Sequence, residues 1–110
     1  MQSTDIDMKH CIDACLNCYQ MCQSTAMGHC LEAGGQHAEQ KHFSLMMACA
    51  EMCRTSAHIM VTGSELHKRT CRLCSEICER CAADCDRIGD MEECADTCRL
   101  CAETCKKMAA

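Results

Sequence analysis

The sequence predicts an all-α fold, an antiparallel up-down-up-down four-helix bundle whose core is lined with cysteine. Three observations carry the prediction. Cys71, Cys74, Cys78, Cys81 and Cys85 recur at intervals of 3, 4, 3 and 4, the period of one face of an α-helix. The same spacing returns at Cys11, Cys15, Cys18 and Cys22, at Cys94, Cys98, Cys101 and Cys105, and in short form at Cys49 and Cys53. The chain has no proline, and its breaks fall at Gly34-Gly35, Thr62-Gly63-Ser64 and Gly89-Asp90. The connections left by these breaks are short, so consecutive helices reverse direction.

The first helix is expected over 4–32, with Ser3 or Thr4 as its cap. Its cysteine face continues to Thr25 and His29, and Cys30 falls about 100° off it. The second is expected over 37–61, with His42, Met46, Cys49, Cys53, Ser56 and Met60 facing inward. The third, over 65–88, is capped by Thr62 or Ser64, and its face begins at His67. Asp90-Met91-Glu92-Glu93 reads as a capping box for the fourth, over 91–107, whose face runs from Met91 to Met108. Alternating direction gathers His29, His42, Met46 and Met91 at one end, and Met8, Met60, His67 and Met108 at the other. The predicted object is a tube, thiol in the middle and His/Met at its mouths. A weaker apolar set lies off the thiol face: Ile12, Leu16 and Tyr19, then Phe43, Met47 and Ala50, then Leu66, Leu73 and Ile77. It predicts a self-association surface.

Composition narrows the function. A chain of 110 residues is expected to form one domain over 1–110 with a small core. One Phe, one Tyr, no Trp and twelve Leu, Ile and Val stand against 16 Cys and 10 Met, so sulfur fills much of the interior. A net charge of -5 and the lack of stacking aromatics exclude a nucleic-acid surface. No apolar run reaches the length of a membrane span, so no membrane partner is expected. Asp5, Asp7, Lys9 and Asp13 interrupt the start of the chain, and the first arginine is Arg54, so neither an apolar leader nor a twin-Arg signal is read there. The expected location is the reducing cytoplasm, where cysteine clusters bind metal or do redox work.

Cysteine packs as a small hydrophobe, but fifteen on four inward faces contribute less transfer free energy than leucine and are open to oxidation. Stability does not select such a core. Neighbouring cysteines on one helix point the same way, so disulfides between them would be strained. The Cys-x-x-Cys pairs lie inside helices, away from the exposed helix start that activates a redox thiol. Thiolates three or four residues apart have Cβ atoms roughly 5–6 Å apart, within reach of one bridging ion at metal–sulfur bonds of about 2.3 Å. Zinc prefers closed sites of four ligands, and iron–sulfur clusters prefer loop-borne cysteines. A continuous thiol lining with almost no carboxylate suits a soft monovalent ion, Cu(I), bound in multiple copies as protons leave. His29, His42 and His67, with Met46, Met60, Met91 and Met108, are candidate ligands at the mouths, and Cys30 is peripheral. No nucleophile–base or carboxylate pair marks an enzyme.

The chain resembles the four-helix-bundle copper storage proteins, in their cytosolic, signal-less branch. The match is carried by Cys11-Ile-Asp-Ala-Cys15-Leu-Asn-Cys18, by Cys71-Arg-Leu-Cys74-Ser-Glu-Ile-Cys78-Glu-Arg-Cys81 and by Cys94-Ala-Asp-Thr-Cys98-Arg-Leu-Cys101-Ala-Glu-Thr-Cys105, with the ending Lys106-Lys107-Met108-Ala109-Ala110. The resemblance implies a bacterial homotetramer of bundles, each filled with Cu(I) held by core cysteines. The expected exchange partner is a copper chaperone or a small-thiol copper carrier. Thr25, His29 and His42 stand where cytosolic members tend to carry further cysteines. A zinc or general heavy-metal buffer stays open beside this reading, as does an iron–sulfur or thiol redox protein.

Overall fold

The computed structural model describes residues 3–110, with side chains from residue 6 onward, so the cap expected at Ser3 or Thr4 lies outside the described side chains. Helix α1 (Ser3–Thr25) runs without a break into a π-helical segment, Ala26–Cys30, and a last α-turn, Leu31–Ala33. A 3₁₀ turn, Gly35–Ala38, leads to α2 (Gln40–Val61), followed by α3 (His67–Ile88) and α4 (Glu92–Ala109). The bends sit at the predicted glycines. Gly34, Gly63 and Gly89 have φ of 67°, 76° and 87°, a region that costs a residue without a Cβ nothing.

Contacts between the helices fix their directions. Cys11 lies beside Cys105, and Cys22 beside Cys94, so α1 and α4 are antiparallel. Cys30 meets His42 across α1 and α2, while Met46 meets Cys85 and Met60 meets Cys71 across α2 and α3. Arg99–Asp86 and Lys106–Glu79 pairs tie α4 antiparallel to α3. The result is the predicted up-down-up-down bundle, a rod of 47 × 19 × 18 Å.

Helices carrying thiols inward approach closely because the residue beside the cysteine is small. Ala50, Ser75, Ala82, Ala95 and Ala102 each follow a core cysteine and are buried at the seams between helices. Sequence reading placed Ala50 on the outer apolar set, and burial at 1% exposure corrects that. Of the rest of that set, Leu16, Leu66 and Leu73 are exposed, and Ile12, Tyr19, Phe43, Met47 and Ile77 are half-buried.

Two of the expected helix starts differ. Asp90 takes φ 59° and Met91 occupies the position before α4 with no side-chain cap, so the capping box over 90–93 does not form. A left-handed Asp90 cannot also present its carboxylate to the first turn, and it turns toward His29 instead, 3.7 Å away. At α3 the expected Ser64 bond is present, its Oγ accepting from the Leu66 N–H at 3.1 Å.

Candidate metal centre

All sixteen cysteines are free and buried. The nearest Sγ–Sγ separations are 3.5 Å, between Cys22 and Cys98 and between Cys53 and Cys78, far longer than a disulfide bond of about 2.05 Å. Most other neighbours lie at 3.6–3.9 Å, as with Cys15–Cys105 and Cys74–Cys78. Five groups bring their sulfurs within 4.8 Å of one another: Cys11/Cys71/Cys105, Cys15/Cys74/Cys101/Cys105, Cys53/Cys74/Cys78/Cys101, Cys18/Cys49/Cys53/Cys78 and Cys18/Cys22/Cys49/Cys98. Each group shares members with the next. A shared sulfur must bridge if neighbouring groups fill, so the geometry is that of a continuous thiolate ladder. With metal–sulfur bonds of about 2.3 Å, a linear S–metal–S unit needs roughly 4.6 Å, whereas a three-coordinate one needs roughly 4.0 Å. The observed spacing is near the second value and reaches it if the walls spread by a few tenths of an ångström.

Neighbouring thiols of the empty ladder push one another in opposite directions. Contacts with Cys105 and Cys15 draw Cys101 down to about 7, and Cys101 in turn pushes both of those thiols up. For Cys71 the contact with Cys105 draws the pKa down, but the contact with Cys11 and burial outweigh it, and the thiol is pushed up to about 12 from 9.0. Burial is the main cause at Cys30, with Cys94 and Cys81 adding to it, and that thiol also rises. A thiol raised in the folded state contributes stability that is full below pH 9.0 and is lost as the pH climbs toward 12. Through Cys71 the metal-free protein is therefore expected to melt at lower temperature as the pH climbs from 9 toward 12, while a metal-filled core loses this dependence. Thermal scans by circular dichroism at stepped pH check it.

The mouths differ from each other and from expectation. An α-helix turns about 80° off the thiol face between Cys22 and Cys30, but a π turn inserts one residue and rotates the residues beyond it back by about 100°. Ala26 and Cys30 consequently lie inside at 0% exposure, and Cys30 is a core residue rather than a peripheral one. The same shift carries His29 off the face. Its side chain is 39% exposed and sits beside Asp90 and the edge of the His37 ring. The expectation that His29 lines the tube is thus corrected by the wider turn.

His42 does lie inside, at 0% exposure. Its Nδ1 donates to Asp84 Oδ2 at 2.7 Å, and its Nε2 is 3.7 Å from Cys30 Sγ. Burial works against the Asp84 carboxylate, yet bonds from His42 and then Arg87 outweigh it and hold its pKa below the usual range. Met46 Sδ accepts from Cys81 at 3.5 Å and Cys85 at 3.6 Å. At the other mouth, Met60 Sδ accepts from Cys71 at 3.7 Å, and Met108 is buried. His67 is half-buried there, with Nδ1 bonded to the Ser64 carbonyl at 2.9 Å. Met91 is buried beside Cys94 in a cleft that also contains His29, Asp90 and Glu93.

Sequence reading missed Asp84, which sits one residue before Cys85 but meets a histidine on another helix. The only cue was that a histidine buried among thiols needs a partner. Cys30, His42 and Asp84 also form a thiol–imidazole–carboxylate line, where no nucleophile–base pair was expected. The thiol is buried and its pKa raised, the reverse of an activated nucleophile.

The chain matches the family model described as copper storage protein over residues 4–110. It belongs to that family. Among solved structures, the Nmul_A1745 protein of Nitrosospira multiformis is 52% identical, with a TM-score of 0.93 over 96% of both chains. The Cu(I)-bound copper storage protein BsCsp3 is 36% identical, with a TM-score of 0.85 over 94% of this chain and 99% of that one. A Bacillus subtilis protein described as uncharacterized and cysteine-rich, YhjQ, is 36% identical over 77 residues, 70% of each chain. The bundle of this copper storage protein family member matches those solved structures along nearly its whole length.

Proposed function

We propose that the protein stores Cu(I), taking many ions per chain into the ladder of core thiolates and performing no catalysis. The observation that carries the reading is the overlap of the five sulfur groups, which suits bridging by a soft ion that accepts low coordination numbers. The metal ligands on this reading are Cys11, Cys15, Cys18, Cys22, Cys49, Cys53, Cys71, Cys74, Cys78, Cys81, Cys85, Cys94, Cys98, Cys101 and Cys105. Met46 and Met60, already touching core thiols, serve as weak thioether steps at the two mouths. The chain acts as one domain over 1–110 and assembles as a homotetramer through the exposed Leu16, Leu66 and Leu73 surfaces. No helix among the described residues is long and apolar enough to cross a membrane. We place the protein in the reducing cytoplasm, exchanging copper with a chaperone or a small-thiol carrier.

Anaerobic titration with Cu(I) against a chromophoric chelator tests this. Uptake is expected to continue past five ions per chain, more than one for each sulfur group. Saturation at one or two ions overturns storage. Retention of Zn(II) in preference to Cu(I) under competition would favour the heavy-metal buffer, and iron–sulfur absorption in fresh protein would favour an electron carrier. Sedimentation of the loaded sample reads the number of copies, and a monomer overturns the tetramer.

A further inference from the structure

The five sulfur groups leave out four buried cysteines, Cys30, Cys81, Cys85 and Cys94, and all four lie at the end where α1 finishes and α2 begins. His42 is the histidine wholly buried there among the described residues, and the Nε2 of the half-buried His29 is the other nitrogen shielded from solvent. Because a carboxylate only accepts hydrogen bonds, the 2.7 Å contact of His42 with Asp84 requires the proton on Nδ1. Nε2 stands 3.7 Å from Cys30 Sγ, and in the tautomer with its one proton on Nδ1 the Nε2 lone pair is free to bind on that side. Asp84 is itself fixed by Arg87 Nε at 2.8 Å, and Arg87 by Glu39 at 3.2 Å, so a chain of bonds runs from the imidazole to the surface. A carboxylate behind the far nitrogen is the arrangement that orients a metal-ligating histidine.

We propose that Cys30 and His42 form a separate mixed sulfur–nitrogen site for a soft monovalent ion, with Asp84 as its positioning residue. The proposal rests on the copper-storing reading above. Bonds of about 2.3 Å to sulfur and 2.05 Å to nitrogen, spanning 3.7 Å, enclose an angle near 120°. That angle is reached without moving either residue, and it leaves a third position that no cysteine, histidine or carboxylate among the described residues fills within 4.8 Å. Filling by the Cys30–His42 pair is balanced: the ion replaces the Cys30 thiol proton, which leaves to solvent, and copper stays Cu(I). One thiolate, one neutral imidazole and one cation sum to zero charge, so this site asks less of a low-dielectric interior than a bis-thiolate one. The π segment is what makes it possible, since a regular α-helix would turn Cys30 away from His42.

Long-range ¹H–¹⁵N NMR of histidine-labelled protein tests the site directly, because Cu(I) is diamagnetic. In wild-type protein loaded to saturation, the His42 Nε2 resonance is expected to leave its free lone-pair position while Nδ1 keeps its proton. Cys30→Ser is expected to abolish that change and to lower capacity by one ion, leaving the rest of the ladder filled. Asp84→Asn is expected to keep the site but to release its ion to a competing chelator at roughly 10–100-fold lower chelator concentration. A His42 resonance that does not move in fully loaded wild-type protein overturns this inference and leaves storage intact. Saturation of wild-type protein at one or two ions overturns storage itself. An Asp84→Asn protein that competes like wild type overturns the positioning role of Asp84 alone.

Discussion

Saturating the protein with Cu(I) is expected to raise its melting temperature by tens of degrees. The empty bundle has little to hold it. Its core is sulfur and alanine, and among the described residues only His42, Met46 and Met60 add larger side chains that are fully buried. The ion pairs that tie α3 to α4 do not compensate: Arg99, Asp86, Lys106 and Glu79 are each about half exposed, and such pairs contribute little. An ion that binds only the folded state stabilises it by about 2.7 kcal/mol when its free concentration is 100 times its dissociation constant. Several such sites in a chain this size, at roughly 3–6 °C per kcal/mol, give a shift of that order. Differential scanning calorimetry under anaerobic conditions, with increasing copper at fixed protein, measures it. A melting temperature that stays put after saturation would mean that the ions sit outside the bundle.

The second large effect concerns one sulfur. Cys53 belongs to two of the overlapping groups and lies 3.5–3.7 Å from Cys74, Cys78 and Cys101. Cys53→Ser is expected to remove more than one Cu(I) per chain, because a hydroxyl cannot replace a bridging thiolate in either group. Cys85→Ser, outside every group, should cost one ion at most. Copper and protein quantified after anaerobic gel filtration give the comparison, and equal losses from the two variants would show independent sites. In the metal-free state Cys53→Ser is also expected to destabilise by about 1–3 kcal/mol, since the buried hydroxyl finds only weak sulfur partners.

Much of this was legible in the residues, because cysteine occupies nearly every inward position and so marks the helical period without noise. Helix number, direction and the thiol face of Cys71 to Cys85 all follow from spacing and glycine breaks. Register near Cys30 was not legible. A π turn leaves no mark in a 3/4 pattern until the pattern resumes one residue late, and Cys30 is a single point from which to see that. His42 was placed correctly because α2 is regular throughout. Its partner Asp84 was hidden, since a carboxylate beside a cysteine on an acidic chain looks like any solvated surface group. The capping box over 90–93 failed for a local reason: Gly89 and Asp90 together make the turn, and a residue used for the turn is not free to cap.

The wider turn at Ala26–Cys30 also makes helix length a chemical variable. Two donors stand side by side in the sequence, the imidazole of His29 and the sulfur of Cys30, and only the phase of the backbone decides which one the interior meets. Removing a single residue from that turn would exchange them without altering either side chain. The identity of the last donor at this end of the bundle is thus encoded by an insertion, not by a substitution.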